Sequence, residues 1–352
     1  MEKKNSETWF PQYDLLRIIA CFSVIMLHCS AQFWYVLPIT GNEWLITNSY
    51  DSVSRFGVPL FVMISGALFL SGQKKFSVRR LFTHNILRML SVYIFWSCAY
   101  GLLSCRNYPR ETLDFKFVLR QMLHGKYHLW FLPMIIGLYL LVPILRVWVQ
   151  NASQKNLQYF LALFLVCQIG KDTFIAFFPR PDFLYLASLA NFDMICGYTG
   201  YFLLGYYLTR YEIPGKCRRL LYLAAFPALL ANVFFSAWFS RKQGTPNGEI
   251  FDAFCLFTFL FTVALFLFVA EKTKGKVFSA RAEKLIRELS RNTLGIYILH
   301  LGVIELLNSY GINSKSLPIA VGVPLLAVFC FLFCCLLAAL LRRIPLIGKY
   351  IC

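Results

Sequence analysis

Apolar runs of about twenty residues recur along the whole sequence and decide its fold class. A helix that crosses a bilayer needs roughly 20 predominantly apolar residues. Because hydrocarbon offers the backbone no hydrogen-bonding partners, helices are the natural form for such runs. The pattern predicts an all-α integral membrane protein with about ten transmembrane helices, at residues 14–35, 54–71, 82–104, 129–148, 157–178, 184–208, 219–239, 250–270, 293–310 and 318–341. The sixth run is the least continuous, because Asp193 and Gly197 interrupt it.

The placement of the charges argues against a nucleic-acid partner, although the net charge is +18. The hydrophobic content of 58% exceeds that of ordinary soluble domains. The Lys and Arg side chains lie mostly in short loops between apolar runs, where such residues mark the cytoplasmic face and contact lipid headgroups. Their distribution predicts that the N- and C-termini are both cytoplasmic. The exception is loop 105–128, which carries five basic residues and is placed outside against its charge.

No long linker or internal repeat divides the chain, so a single membrane domain over residues 1–352 is expected. It has a short cytoplasmic N-terminus, 1–12, and a cytoplasmic tail, 342–352. The segment "FSARAEKLIRELSRN", residues 278–292, places a few apolar residues among charges. We predict that it forms an interfacial helix on the inner leaflet.

The twelve cysteines do not indicate a disulfide framework or a zinc site. Disulfide frameworks belong to small secreted domains, and zinc sites need close Cys and His pairs in solvated loops. Here Cys330, Cys334 and Cys335 have helical spacing within an apolar run. No metal site is expected.

The first apolar run, "YDLLRIIACFSVIMLHCS", contains an arginine and a histidine eleven residues apart, Arg17 and His28. At about 100° per residue they share one helix face, separated by roughly 16 Å, with His28 near the bilayer midplane. Facing lipid would be costly for both, so we predict that they line a central polar cavity. Alternatively, the Arg17 side chain extends to the lipid headgroups, and His28 packs inside the protein with its hydrogen bonds made. Asp14 on the same stripe orients Arg17 or caps the helix.

This spacing resembles the Arg-x10-His signature of the acyltransferase-3 family of multi-spanning membrane O-acyltransferases. Four further segments are similar to family motifs and follow in family order: "SRFGVPLFVMISGALFL" (54–70), "YHLWFL" (127–132), "GYFLLGYYL" (200–208) and "NTLGIYILH" (292–300). Within the family, they look closest to the branch that contains the enterobacterial common antigen O-acetyltransferase.

The resemblance implies an enzyme of the bacterial cytoplasmic (inner) membrane. It would move an acetyl group from cytoplasmic acetyl-CoA to a hydroxyl of a cell-surface polysaccharide or its lipid-linked precursor. His28 is then the general base or a transient acyl carrier, since histidine ionises near neutrality. Arg17 is the partner of the CoA phosphates, because its planar fork pairs well with phosphate. Some members of the family carry acyl groups other than acetyl, so the resemblance implies an acyl donor more directly than acetyl-CoA.

Other polar residues are candidates for the two substrates. Arg79, Arg80, Arg88 and Ser65 are expected on the CoA side, although charge decoration of the inner face and a helix-bonding hydroxyl explain them too. Arg55, His128, Trp130 and His300 are expected on the acceptor side. An interfacial aromatic belt also explains Trp130, and packing or hydrogen bonding also explains His300.

A transporter or flippase for an anionic or sugar-containing substrate is the main alternative, because intramembrane charge serves that class as well. Many transporters have two related halves, and no duplication is seen here. An exporter-like family member without acyl transfer is a third interpretation. Whether the protein is a homo-oligomer stays open.

Overall fold

A computed structural model describes residues 9–71, 76–190, 196–345 and 348–352. Within these residues every regular element is helical and there is no strand. Residues 1–8 of the N-terminus, Asp193 of the sixth apolar run and residues 346–347 of the tail lie outside the described part.

The α-helices of the described residues are α1 Pro11–Ala31, α2 Asn42–Ser54, α3 Gly57–Leu70, α4 Val78–Arg80, α5 Leu87–Ser104, α6 Phe115–His124, α7 Phe131–Asn151, α8 Gln154–Leu163, α9 Lys171–Phe177, α10 Pro181–Ala190, α11 Gly197–Arg210, α12 Gly215–Gln243, α13 Leu256–Thr273, α14 Ala280–Ser309, α15 Ile319–Leu341 and α16 Gly348–Ile351. Two π-helical turns, Leu81–Ile86 and Phe164–Gly170, join α4 to α5 and α8 to α9. Four 3₁₀ turns are Cys105–Asn107, Arg110–Thr112, Tyr127–Trp130 and Glu249–Phe251.

Eight helical segments of the described chain are long and apolar enough to cross a membrane. They are Pro11–Ala31, Asn42–Leu70, Val78–Asn107, Tyr127–Asn151, Gln154–Phe177, Gly215–Gln243, Glu249–Thr273 and Ile319–Leu341. The all-α, multi-spanning fold class is therefore confirmed, with eight candidate spans where ten apolar runs were expected. The run 184–208 is divided between α10 and α11, and the run 293–310 is the second half of α14, whose first half is charged.

The prediction of a separate interfacial helix at residues 278–292 is wrong. One helix, α14, runs from Ala280 to Ser309 without a break. The Ser279 hydroxyl caps its N-terminus by accepting a hydrogen bond from the Ala282 amide at 3.3 Å. No Gly or Pro follows until Gly295, and the polar side chains of Ser290 and Asn292 are buried against the protein. The charged segment therefore continues into the helix bundle.

Helix α1 lies at the centre of the bundle, where α2, α3, α13, α14 and α15 all contact it. Beside it, α3 and α11 cross so closely that their glycines touch the opposite backbone. A methyl group at Gly66 would overlap the carbonyl oxygen of Phe202, and one at Gly205 would overlap the carbonyl oxygen of Met63. Small residues permit such close approach of membrane helices. This crossing holds α3, which supplies one wall of the site described below.

Replacing Gly66 by alanine is expected to destabilise the protein by about 2 kcal/mol, because a methyl group added to a closed contact forces the helices apart. The loss can be measured as a lower midpoint of unfolding in detergent. Gly137 of α7 is the matched control, since a Cβ there would meet nothing within 4 Å. Gly137→Ala should leave the midpoint unchanged or raise it slightly. Equal midpoints for the two variants would contradict the close crossing.

Candidate active site

Asp14 holds Arg17 in place at one end of α1. The Arg17 guanidinium donates to Asp14 Oδ1 at 3.1 Å. The Trp9 indole donates to Asp14 Oδ2 at 2.8 Å, and the Ser290 hydroxyl donates to Asp14 Oδ1 at 2.6 Å. The N-cap of α1 is Phe10, so Asp14 does not cap the helix. Of its two expected roles, the geometry supports the orientation of Arg17.

Two adjoining cavities meet at Arg17. The wider one has a volume of about 500 Å³ and the narrower one about 260 Å³. Both are lined by Arg17, Leu68, Phe69 and Tyr139, so they share a wall. We call them the arginine cavities. Arg80 and Arg146 line the wider cavity, and Arg88 and Arg291 line the narrower one.

The described lining of the arginine cavities contains no Asp or Glu side chain. Their charges are therefore those of arginines, and the carboxylate of Asp14 lies directly behind Arg17. Charge of one sign inside low-dielectric walls attracts ions of the opposite sign strongly. The arrangement is suited to an anion, and arginine forks are suited to phosphate or carboxylate.

Arg146 is a cavity residue that the sequence-based candidates omitted. It is only 8% exposed, and it donates to the backbone oxygens of Phe69 at 2.8 Å and Ser71 at 2.6 Å. These carbonyls lie at the C-terminal end of α3, where a cation is favoured by the helix dipole. Its signal in the sequence is an arginine inside an apolar run, which is by itself a reason to expect a buried polar site.

Of the remaining candidates for the CoA side, the structure places three at the arginine cavities and one outside them. Ser65 lines the narrower cavity and lies beside the Tyr139 phenol. Arg88 lines the same cavity, and its guanidinium donates to the backbone oxygen of Cys352 at 2.7 Å. Arg79 is exposed and is absent from the described lining of both arginine cavities, whereas its neighbour Arg80 lines the wider one.

His28 opens onto a separate, more polar cavity at the other end of α1. This His28 cavity has a volume of about 200 Å³ and is lined also by Gln32, Tyr127, Glu305 and Asn308. The Tyr127 hydroxyl lies 3.3 Å from His28 Nδ1, and Glu305 forms an ion pair with Lys126. His28 is in the last turn of α1, near the end of this helix.

Three histidines from three helical segments meet behind the His28 cavity. The ring centroid of His300 lies 5.1 Å from that of His28 and 5.3 Å from that of His128. His300 is 0% exposed and His128 is 2% exposed. Both were expected to contact the acceptor, but neither belongs to the described lining of the His28 cavity. They form a buried layer that supports His28.

A pair of aromatic rings separates the arginine cavities from this histidine layer. Phe131 and Tyr297 line the narrower arginine cavity, with their centroids 5.6 Å apart. On its other side, the Tyr297 ring lies 5.9 Å from His300 and 5.6 Å from His128. The Tyr297 hydroxyl donates to the backbone oxygen of His128. One ring layer thus lies between the cationic site and the histidines.

The model of the acyltransferase-3 family, described as an acyltransferase domain, matches residues 10–343. The chain belongs to this family. Comparisons with curated proteins and with solved structures found no match. The family assignment covers both cavity systems and all three clustered histidines.

Two of the acceptor-side candidates make their main contacts away from the cavities of this acyltransferase-3 protein, although the charge of Arg55 lies close enough to act on His28. Arg55 makes two hydrogen bonds to the buried carboxylate of Asp51, at 2.7 and 2.9 Å, and stacks over Phe251 at 4.5 Å. Its contacts are those of a structural ion pair. Trp130 is 47% exposed, and its ring lies 5.9 Å from Tyr198. Neither residue is in the described lining of the three cavities.

The clustered histidines of the acyltransferase do not have the arrangement of a metal centre. Among the described residues, no group of three or more His, Cys, Asp or Glu side chains is placed to hold a metal ion. His128 Nε2 lies 3.1 Å from the Ile298 carbonyl oxygen, which only accepts, so this nitrogen carries the proton.

Proposed function

We propose that this protein transfers an acyl group, most simply acetyl from acetyl-CoA, to a hydroxyl of a cell-surface polysaccharide or its lipid-linked precursor. The observation that carries the proposal is the pairing of two unlike sites on one helix. Arg17 lies in cavities whose described lining has no acidic residue, and His28 lies in a polar cavity further along α1. An anionic donor and a polyhydroxyl acceptor need such different surroundings.

The arginine cavities suit the nucleotide end of CoA. Its phosphates would pair with Arg17 and Arg80 in the wider cavity, where Arg146 adds a third positive charge. The slender pantetheine arm would follow the narrower cavity past Ser65 toward Tyr297. To reach His28, the thioester has to pass the ring layer of Phe131 and Tyr297.

The His28 cavity suits one sugar residue of the acceptor. Its volume is about 200 Å³, and its lining offers the hydrogen-bonding side chains of Gln32, Tyr127, Glu305 and Asn308. Glycan hydroxyls both donate and accept hydrogen bonds, so amide, phenol and carboxylate groups together recognise them. The position of His28 at the rim of this cavity brings an acceptor hydroxyl next to the imidazole.

In the simplest reaction, His28 acts as general base. The acceptor oxygen attacks the thioester carbon while its proton passes to the imidazole. The new carbon–oxygen bond forms, the carbon–sulfur bond breaks, and the proton returns from His28 to the sulfur of CoA. In the alternative route, His28 first takes the acyl group from CoA and then passes it to the acceptor. Both routes depend on the same imidazole nitrogen.

The proposal includes the location and orientation of the protein. The Arg17 end faces the cytoplasm, which supplies acyl-CoA, and the His28 end faces the outside of a bacterial cytoplasmic membrane. The distribution of basic loops supports this orientation. The motifs favour the branch of the enterobacterial common antigen O-acetyltransferase, and this branch assignment depends on the motifs alone, since no curated relative matches.

A transporter is the second candidate, because cavities at two ends separated by a ring layer also suit alternating access. Membrane vesicles distinguish the two functions. Inverted vesicles, which expose the cytoplasmic face, should release free CoA from added acetyl-CoA and move a labelled acetyl group to glycan. Right-side-out vesicles should not. Uptake of the probe without release of CoA would favour transport, and CoA release from the outer face would reverse the proposed orientation.

A further inference from the structure

His300 carries a buried imidazole nitrogen with no hydrogen-bonding partner among the described residues. Its Nδ1 contacts the carbonyl oxygen of Tyr297, one turn earlier on α14. A carbonyl oxygen only accepts, so Nδ1 carries the proton and Nε2 has a free lone pair. Within the described chain no group donates to this Nε2, although the residue is 0% exposed. A buried acceptor without a donor is costly and calls for a functional reason.

The imidazole of His28, the catalytic candidate, lies beside that of His300. The His28 and His300 centroids are 5.1 Å apart, with the rings inclined at 36°. At this centroid separation, two imidazoles whose nitrogens face each other can form an N–H···N hydrogen bond. His28 Nδ1 is already next to the Tyr127 hydroxyl at the cavity, which leaves its Nε2 for His300. The two imidazoles are therefore complementary, one with a free lone pair and one with an N–H to place.

We infer that His300 is a positioning residue for His28, a role that rests on the proposed acyl transfer. His300 Nε2 accepts a hydrogen bond from His28 Nε2–H. This bond selects the tautomer of His28 whose Nδ1 lone pair faces the acceptor cavity. When the acceptor hydroxyl gives its proton to Nδ1, the same bond stabilises the imidazolium, and the proton leaves again from Nδ1 to the CoA sulfur. His300 holds the Nε2 proton without taking it, as the third member of a catalytic triad does.

His128 packs against His300 and helps to hold its ring in place. Its Nε2 donates to the Ile298 oxygen at 3.1 Å, and its ring lies against His300 at 5.3 Å. The hydrogen bonds of His128 and His300 both go to backbone carbonyls of α14, so the orientation of these two rings is fixed by a rigid element. A third group that orients the base is characteristic of activated catalytic pairs.

Two substitutions at one position test this role. His300→Leu removes the acceptor and keeps much of the volume, whereas His300→Gln keeps an acceptor oxygen close to the position of Nε2. His300→Leu should lower kcat about 30-fold, the usual effect of losing an orienting partner, with KM for acetyl-CoA and for acceptor unchanged within about two-fold. His300→Gln should recover most of the lost kcat. His84→Ala is the control for the loss of a histidine side chain, because His84 is exposed to solvent. It should keep wild-type kinetics.

The outcomes separate this inference from the proposed function. Wild-type kcat in His300→Leu, with activity still dependent on His28, would overturn only the positioning role. Equal losses in His300→Leu and His300→Gln, with matching losses of thermal stability, would assign His300 to packing and also overturn it. A folded wild type that releases no CoA from acyl-CoA would overturn the proposed function itself, and the positioning role with it.

Discussion

Replacing His28 by alanine is expected to reduce acyl transfer by about a thousand-fold or more, because the hydroxyl nucleophile then has no base at the rim of the acceptor cavity. His28 is half-buried and lies in the last turn of α1, so its removal should leave the fold intact. The measurement is the rate of CoA release and of label transfer to glycan by purified protein in liposomes. His28→Ala should still bind acetyl-CoA, since the arginine cavities are unchanged.

His84→Ala is the matched control for the loss of a histidine, since His84 is exposed and contacts Thr83. A second variant, His28→Gln, keeps hydrogen-bonding capacity without basicity and should be as inactive as the alanine variant. Brief incubation with labelled acetyl-CoA in the absence of acceptor separates the two routes. Label that stays on wild-type protein and is absent from His28→Ala indicates an acyl-histidine, and no label indicates a general base. Full activity of folded His28→Ala would refute the assignment.

Replacing Arg17 by alanine is expected to weaken acyl-CoA binding about a hundred-fold, as the loss of a charge-assisted pair with phosphate would predict. The effect is enlarged by Asp14, whose carboxylate would then face the anionic donor without its cation. The variant should raise KM for acetyl-CoA much more than it lowers kcat at saturation. Arg17→Lys keeps the positive charge and loses the planar fork. Its KM for acetyl-CoA should therefore lie between that of the wild type and that of Arg17→Ala.

Arg281→Ala is the control for the change in net charge, because Arg281 is exposed at the start of α14. Its KM for acetyl-CoA should match that of the wild type. Arg80→Ala should raise KM as well, by a smaller factor, since Arg80 is more exposed than Arg17. A rise in KM that is equal in Arg17→Ala and Arg281→Ala would point to general surface charge and contradict a donor site at Arg17.

The face of α1 that carries Arg17 and His28 shows what helical periodicity can predict and what it cannot. Helical geometry alone puts Arg17 and His28 on one face, and membrane energetics alone predict that this face meets protein or water. The structure adds that they belong to different cavities, with Phe131 and Tyr297 between the cavities. That separation depends on rings from α7 and α14, so no pattern within α1 could have revealed it.

Arg146 and Arg55 show why the site residues seen in the structure differ from those predicted from the sequence. Both lie within or beside apolar runs, although only Arg55 also falls in a segment that is similar to a family motif. Tertiary contacts separate them, because Arg146 is held at the wall of the wider cavity while Arg55 is occupied by Asp51. Arg79 and Arg80 differ in the same way, since one step along a helix turns a side chain by about 100°.

The amino-acid sequence by itself determined the all-helical membrane fold, the polar face of α1 and the family, because these depend on hydrophobic length, helical period and short motifs. Only the tertiary structure decided the continuity of α14, which residues line each cavity, and the meeting of His28, His128 and His300. Those three histidines are separated by up to 272 residues in the chain. Helical period and short motifs describe residues within a few turns of one another. A site made from distant segments depends instead on how the helices pack.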